Sequence, residues 1–262
     1  MFPDDDVFYY KIFAELEKSF NESGLHPIVH LTHNIRQKEE NILDFLIESN
    51  VDAIIAVPNA ECSVKYAQLK IPLLFFDLSI DSIKAPSILS DDYEGAARAV
   101  EYLLSIGHSK IAFIGSEYDP TSANRLNGFI ETLKNNNLTV NSNFIKCKEA
   151  TREWDFYAAQ ELLSANDKPT AIFCSNDTIA AGVFRFTKSK NVRIPEDVSL
   201  LGFGNTAIAE DLELTSVSQH SAKIVEAIRK NLDLILCGNK PPDKTRIGTS
   251  LIVRNSTASP LK

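Results

Sequence analysis

The sequence is poor in residues that build reactive or metal-binding centres. Its 262 residues include 4 cysteines, and Cys62, Cys147, Cys174 and Cys237 form no C-x-x-C pair. The G-x-S-x-G, H-E-x-x-H and Walker A motifs are also absent. We therefore expect no enzyme, no metal centre and no cofactor. The scattered cysteines predict buried free thiols in a reducing compartment.

Long hydrophobic runs and excess positive charge are missing as well. No run reaches the length of about 18 apolar residues that a membrane helix needs. The N-terminus, MFPDDDVFYY, lacks the basic segment and apolar core of a signal peptide, so we expect no membrane association and a cytoplasmic location. The net charge is −8. Because nonspecific affinity for nucleic acid comes from Lys and Arg, this chain alone is not expected to grip DNA.

What the sequence does contain is an alternation of apolar runs and helical periodicity. The runs VDAIIAVP, IPLLFFD, KIAFIG, TAIFCSND and VSLLGFGN are typical of buried strands. Further strands are predicted at 27–31 and 248–257, and helices at 10–20, 35–49, 91–107, 125–135, 155–164, 179–188 and 224–236. Continuous apolar strands alternating with helices indicate parallel sheets covered on both faces. The number of units favours two similar α/β lobes over one (β/α)₈ barrel.

The segment VSLLGFGNTA, residues 198–207, fits the glycine pattern G-x-G-x-x-A. A dinucleotide site also needs a helix of ordinary length and an acidic residue about 20 positions further on. Here the helix can span only 206–212, and the next strand leads to His220 with no carboxylate at its end. The pattern is better interpreted as a strand-end turn that needs glycine for tight geometry.

Polar residues follow most of the predicted strands. They are Asn59, Asp77, Ser90-Asp91-Asp92, Ser116, Ser175-Asn176-Asp177 and Asn205. Ligands of open α/β sheets bind outside the carboxyl ends of the strands, and these side chains form directional hydrogen bonds to hydroxyls or amides. The same residue types cap helices, so a binding role and a capping role are both open for each of them.

Several segments occur in an order that resembles the LacI/GalR family of bacterial transcriptional regulators. They are SDDYEGAARAVEYLLSIGHSKIAFIG, RLNGFIETL, AAQELL, PTAIFCSNDTIAAGVFRF, VRIPEDVSLLGF and RNSTA. The resemblance covers nearly the whole chain and points to the family's C-terminal effector-binding domain. It implies a periplasmic binding protein-like type I fold, with two doubly wound parallel-sheet lobes, a central cleft and three crossovers. By analogy, one lobe would hold 1–117 and 220–247, and the other 118–219 and 248–262.

The resemblance also implies a function. Such a domain binds a small polar effector, often a sugar, a sugar derivative or a nucleobase, and changes the operator affinity of an upstream DNA-binding domain, which this sequence does not contain. The family is usually homodimeric. A free solute-binding protein of a transport system is the alternative. An enzyme on the same fold would need convergent titratable groups, and the sequence shows none.

Family positions identify candidate ligand contacts in this sequence. Arg125 in RLNGF matches an arginine directed into the cleft, Asn176 in SND matches a frequent ligand contact, and Gln219 lies near the cleft and a crossover. Phe8 and Tyr9 belong to segment 5–9, which often supplies aromatic or polar contacts, although ordinary packing is equally open for them. Asp77 is a candidate from its strand-end position alone, and Asp177 is expected to cap the following helix.

Two positions depart from the family pattern. Where the family commonly has G-F-D-[DN], this chain has Gly202-Phe203-Gly204-Asn205, so a carboxylate is missing. Either Asn205 takes over the contact, or the ligand needs no pair of acceptors there. Without that neighbour, Arg125 could face an anionic effector. The second departure is His220, which stands where the family usually has proline.

Overall fold

The computed structural model describes residues 1, 6–148 and 152–261. Its helices are α1 (Val7–Asn21), α2 (Arg36–Glu48), α3 (Ser63–Gln68), α4 (Asp92–Ser105), α5 (Pro120–Asn135), α6 (Arg152–Ser164), α7 (Asp177–Ser189), α8 (Ala207–Asp211) and α9 (Ser221–Leu236). Its strands are β1 (Ile54–Ala56), β2 (Leu73–Phe76), β3 (Ser87–Ser90), β4 (Ile111–Ser116), β5 (Ile145–Lys148), β6 (Ala171–Cys174), β7 (Ser199–Gly204), β8 (Thr215–Ser218), β9 (Lys244–Ile247) and β10 (Ser250–Ile252).

The chain forms two compact units. The first comprises Met1–Ser90 and His220–Ile247, and the second comprises Asp91–Gln219 and Gly248–Lys262. The chain therefore passes between the units three times. The first passage lies at residue 90 rather than at the predicted 117, because β4 pairs with β5 and β6 and so belongs to the second unit's sheet.

The first unit is built on a four-stranded parallel sheet in the order β1-β2-β3-β9. Successive strand residues point to opposite faces. Phe76 packs with Ile12 of α1 and Ile228 of α9, whereas Phe75 packs with Tyr66 of α3 on the other side. Both faces of this sheet are thus covered by helices, as the continuous apolar strands predicted.

The second unit contains a six-stranded sheet in the order β10-β8-β7-β6-β4-β5. Its neighbours are parallel except for β10, which runs antiparallel to β8. Phe173 of β6 packs with Phe129 of α5, and Ile172 packs with Val183 of α7 on the opposite face. A Cβ at Gly128 would overlap the backbone carbonyl of Tyr93, so α4 and α5 approach each other this closely only because α5 has a glycine there.

The predicted fold class, two α/β lobes with parallel sheets of the periplasmic binding protein-like type, is confirmed. The predicted strand at 27–31 is wrong. Only Leu31 forms a single bridge, and the described residues place no continuous strand beside this segment.

The predictions from composition have mixed outcomes. All four thiols are free, and Cys62 and Cys174 are buried. The prediction of burial is wrong for Cys237, which is exposed, and Cys147 is half-buried. None of the helices in the described part of the chain has the length and apolar character needed to cross a membrane.

Candidate functional site

The second unit gathers several of the predicted residues at one edge of its sheet. Strands β4, β6 and β7 are parallel neighbours, so the residues that follow them share the edge at the carboxyl ends. Asn176 follows β6 and Asn205 follows β7. Arg125 reaches the same place from α5, because its Nη1 donates to the carbonyl oxygen of Ser175 at 2.7 Å.

The guanidinium of Arg125 is held by Asp92 and Ser175 within this unit. Its Nε donates to Oδ1 of Asp92 at 2.8 Å, and its Nη2 lies 2.6 Å from the same oxygen. Its Cζ also lies 3.8 Å from the centre of the Phe203 ring, a cation–π distance. The expectation that Arg125 has no carboxylate neighbour is therefore wrong. Asp92 supplies the counter-charge.

This ion pair is buried on both sides. The side chains of Arg125 and Asp92 are 6% and 5% exposed. Burial raises the pKa of Asp92 above its ordinary value, while the Arg125 charge and hydrogen bonds act in the opposite direction. Through these contacts, Arg125 on α5 connects the start of α4 with the end of β6. The pair therefore stabilises the carboxyl edge of the second unit's sheet.

Asn176 takes the capping role that was expected of Asp177. Asn176 is the N-cap of α7, since its Oδ1 accepts from the backbone N–H of Ile179 at 2.8 Å. Asp177 is instead a buried anchor. Its Oδ2 accepts from the N–H and Oγ1 of Thr206 at 2.8 and 3.0 Å, and its Oδ1 accepts from Oγ of Ser216 at 2.6 Å. Asp177 thus connects the end of β6 to the turn after β7.

The turn after β7 requires glycine at its first position. Gly204 has a φ of +123°, a conformation that residues with a Cβ rarely adopt. Since Asp177 occupies the N–H of Thr206 at the start of α8, that donor cannot hold a pyrophosphate. Helix α8 is also only 5 residues long. These features agree with a strand-end turn rather than a dinucleotide site.

Asn205 is held by a residue that the sequence did not single out. Nη2 of Arg254 donates to Oδ1 of Asn205 at 2.7 Å, and the N–H of Asn205 donates to Oγ of Ser216 at 3.0 Å. Arg254 also donates through Nη1 to the carbonyl oxygen of Leu214 at 2.7 Å. The only sequence signal for Arg254 was its place in the closing RNSTA segment.

Two more side chains of this unit, Ser175 and Trp154, were not among the predicted ligand contacts. The hydroxyl of Ser175 is buried, at 1% exposure of the residue, and finds no hydrogen-bond partner among the described residues. Trp154 lies in the first turn of α6, and Nζ of Lys148 at the end of β5 is 4.8 Å from the centre of its ring. As the single tryptophan of the chain, Trp154 could have been noticed.

The first unit has its own polar pair after a strand. The hydroxyl of Tyr9 in α1 donates to Oδ2 of Asp77 at 2.7 Å, and Asp77 follows β2 with a φ of +64°. Tyr9 is half-buried, with its ring edge-on to Phe76. Phe8 is buried among the core side chains, so its ring faces serve packing rather than ligand stacking. Asp5, the first residue of segment 5–9, lies outside the described residues.

The last predicted contacts lie where the chain leaves the second unit. Gln219 is buried directly after β8. His220 precedes α9 with a φ of +54°, in the left-handed region. Proline is restricted to a φ near −65°, so the backbone at this position could not hold proline, the residue that the family usually has there.

Comparisons with known proteins identify the family to which this chain belongs. Residues 100–257 match the model of the family described as "Periplasmic binding protein-like domain". The HTH-type transcriptional repressor PurR of Vibrio atlanticus is 29% identical over 230 residues, which are 84% of this chain and 68% of that protein. The HTH-type transcriptional repressor CytR of Escherichia coli is 26% identical over 259 residues, covering 96% of this chain and 76% of that protein.

A solved structure supports the same relationship. The periplasmic binding protein/LacI transcriptional regulator from Alkaliphilus metalliredigens, complexed with D-xylulofuranose, has a TM-score of 0.85 and 25% identity. The alignment covers 98% of this chain and 97% of that one. The chain belongs to the periplasmic binding protein-like domain family, and within it to the effector-binding domains of LacI/GalR-family transcriptional regulators.

Proposed function

We propose that this sensor domain binds its small polar effector with the residues at the carboxyl ends of its parallel strands. The observation that carries the proposal is the group at the ends of β6 and β7, where Ser175, Asn176 and Asn205 retain bonding capacity beside the rigid Arg125–Asp92 pair. The first unit has a candidate of its own in the Tyr9–Asp77 pair, which lies after β2. A sugar or sugar derivative fits such groups, and the structure from A. metalliredigens has a sugar bound.

The effector would act on a DNA-binding domain attached to this one. Relatives with the same domain are HTH-type transcriptional repressors, and this favours a regulator over a free solute-binding protein. Effector binding changes operator affinity only if it stabilises one arrangement of the protein over another. The site of action would be the cytoplasm, where operator DNA lies.

The first experiment measures effector binding directly. A thermal-shift screen of the chain would use sugars, sugar acids, sugar phosphates and nucleobases. A ligand at about 100 times its dissociation constant adds about 2.7 kcal/mol to the stability of the domain. Tyr9→Phe should weaken the hit while preserving the fold, whereas Tyr157→Phe, on the exposed face of α6, serves as the control. If no probe class stabilises the chain, the proposed effector classes are wrong.

We further propose a homodimer through the outer surface of α2 and α3 in the first unit. Phe45 and Val64 are 49% and 69% exposed there, and an ion pair between Asp44 and Lys65 holds the two helices together. Contiguous exposed apolar patches mark contact surfaces, and the proposal is that Phe45 and Val64 belong to one such patch. Sedimentation should show a dimer for the wild type and a monomer for Phe45→Glu, with Tyr157→Glu as the control. A monomeric wild type contradicts this proposal.

A further inference from the structure

We infer that the β6–β7 edge, formed by Ser175, Asn176, Gly204 and Asn205, recognises the effector through hydrogen-bond acceptors that the effector carries. The atoms concerned are carbonyl, carboxylate or phosphate oxygens, or unprotonated ring nitrogens. The inference rests on the proposed effector site and deepens it by naming the chemistry that the site selects. It depends on which atoms of the two amides are already bound by the protein.

The amide of Asn176 is fixed by helix capping. Its Oδ1 accepts from the N–H of Ile179 at 2.8 Å, and an N–H group can bond only to the oxygen of the amide. Its Nδ2 has no acceptor among the residues that the structure describes. Asn176 is half-buried, so this NH₂ group remains accessible as a pair of donors.

Arg254 fixes the orientation of the Asn205 amide, because it bonds to the amide oxygen. A guanidinium carries donors and no acceptor, so the atom that lies 2.7 Å from Nη2 of Arg254 must be the amide oxygen. The bond from Arg254 to Leu214 holds the guanidinium in place. Within the described residues, Nδ2 of Asn205 also lacks an acceptor, so this half-buried side chain offers donors too. Arg254 is thereby a positioning residue.

The carboxylates around the edge are already bonded within the protein. Asp92 faces Arg125, and both oxygens of Asp177 accept from Thr206 and Ser216. Gly204 offers no side chain at all. The buried hydroxyl of Ser175, without a partner among the described residues, can rotate to donate.

The surplus of donors favours one class of ligand atom. Strands β6 and β7 are adjacent, about 4.8 Å apart, and Asp177 bonds directly to the turn after β7, so the two amides belong to one edge. An acceptor oxygen or ring nitrogen can receive their N–H groups and leave nothing unpaired. A hydroxyl can also accept, but its own proton would find no free carboxylate there and would have only neutral acceptors such as the Ser175 oxygen, which form weaker hydrogen bonds.

The test exchanges donor for acceptor without changing shape. In Asn205→Asp, one carboxylate oxygen keeps the bond to Arg254, and the other replaces the NH₂ group. Asn176→Asp does the same at the α7 cap. The control, Asn143→Asp, makes the identical change at an exposed position before β5. Calorimetry on the intact chain would use glucose with glucuronate, galactose with galacturonate, ribose with ribose 5-phosphate, and uracil as a neutral carrier of carbonyl groups.

We expect the wild type to bind the acceptor-rich member of at least one pair, or uracil, at least about tenfold more tightly than the neutral sugars. Each edge variant should lose that preference, while the control keeps it. Weaker uracil binding would separate the loss of a donor from charge repulsion. Arg254→Met should reduce the preference for the acceptor-rich member of each pair over its neutral sugar. Without Arg254, the Asn205 amide can turn its oxygen toward the ligand.

Other outcomes overturn the inference. If neutral sugars bind as tightly as their acids, and Asn205→Asp binds them equally well, the donor edge does not select the ligand, although the effector function stands. If uracil or a sugar acid binds with an affinity that neither edge variant changes, recognition lies elsewhere. If no probe binds the wild type, the proposed effector classes fail together with this inference.

Discussion

Arg125 and Asp92 form a buried ion pair, with Nη2 of the arginine 2.6 Å from Oδ1 of the aspartate. The two residues are separated by 33 positions in the chain, and the pair closes the space between α4, α5 and the end of β6. The positive charge of a guanidinium paired in this way is already compensated within the protein. Its contribution is to hold the carboxyl edge of the second sheet in a fixed shape.

Removing one partner of this pair should be far more damaging than removing both. Asp92→Ala or Arg125→Ala leaves an uncompensated buried charge, with an expected loss of about 3–5 kcal/mol in the free energy of unfolding. The double variant Asp92→Leu/Arg125→Met should lose much less. Urea unfolding of the single and double variants gives the coupling energy. Strictly additive losses would show that the pair is not a unit.

The capping role of Asn176 and the anchoring role of Asp177 give a second prediction. Asp177→Ala removes the acceptors of Thr206 and Ser216 and should cost about 3 kcal/mol, because it strands buried donors. Asn176→Ala removes one helix cap and should cost about 1 kcal/mol. Lys188→Ala, at an exposed position near the end of α7, provides the neutral control in the same unfolding experiment. A larger loss for Asn176→Ala than for Asp177→Ala would contradict the anchoring role of Asp177.

Gly204→Asp should not create a sugar site. The φ of +123° strains any residue with a Cβ, at a cost of about 1–3 kcal/mol. The new Cβ would lie 3.3 Å from Oδ2 of Asp177, so the added carboxylate would also meet a like charge. We expect a lower Tm than for Gly204→Ala, which shares the strain without the charge, and no gain in affinity for glucose. A stable variant that gains glucose affinity would contradict this account.

The sequence predicted the interior strands β2, β4, β6 and β7 and the edge strands β1 and β10, but it missed the edge strands β5 and β9. Strands such as β6 carry continuous apolar runs because both of their faces are buried. The edge strands β5 and β9 read IKCK and KTRI, since edge strands commonly carry charges that discourage further pairing. No apolar run marks such segments, so their pairing becomes visible only in three dimensions.

The site was predictable in its residues but not in its bonding. The sequence identified Arg125 and Asn205, yet the partners that decide their chemistry are distant, with Arg254 lying 49 positions from Asn205. A pattern of residue types shows that a donor or an acceptor is present. It does not show whether the protein has already used that atom, and the expectation that Arg125 has no carboxylate neighbour was wrong for this reason.

The last prediction concerns Asp155, a buried carboxyl group on α6. The residue is 3% exposed, its Oδ1 has no partner among the described residues, and its side chain packs against Gly182 of α7. Burial raises its pKa to about 7, with Arg185 acting in the opposite direction and Glu153 adding to the rise. A carboxyl group with a raised pKa in the folded state binds protons more tightly there than in the unfolded chain.

The sign of the pH dependence follows from this difference. Between about pH 4 and pH 7, the folded state holds the proton and the unfolded state does not, so stability falls as the pH rises. At about 1.4 kcal/mol per pH unit, the loss attributable to Asp155 approaches about 4 kcal/mol by pH 8.

Asp155→Asn has the same size but cannot ionise. It should therefore gain more stability over the wild type at pH 8 than at pH 5, whereas Glu161→Gln, at an exposed position of the same helix, should follow the wild type. Urea unfolding of the three proteins at both pH values measures the effect, and a constant difference between Asp155→Asn and the wild type would mean that Asp155 does not titrate in this range.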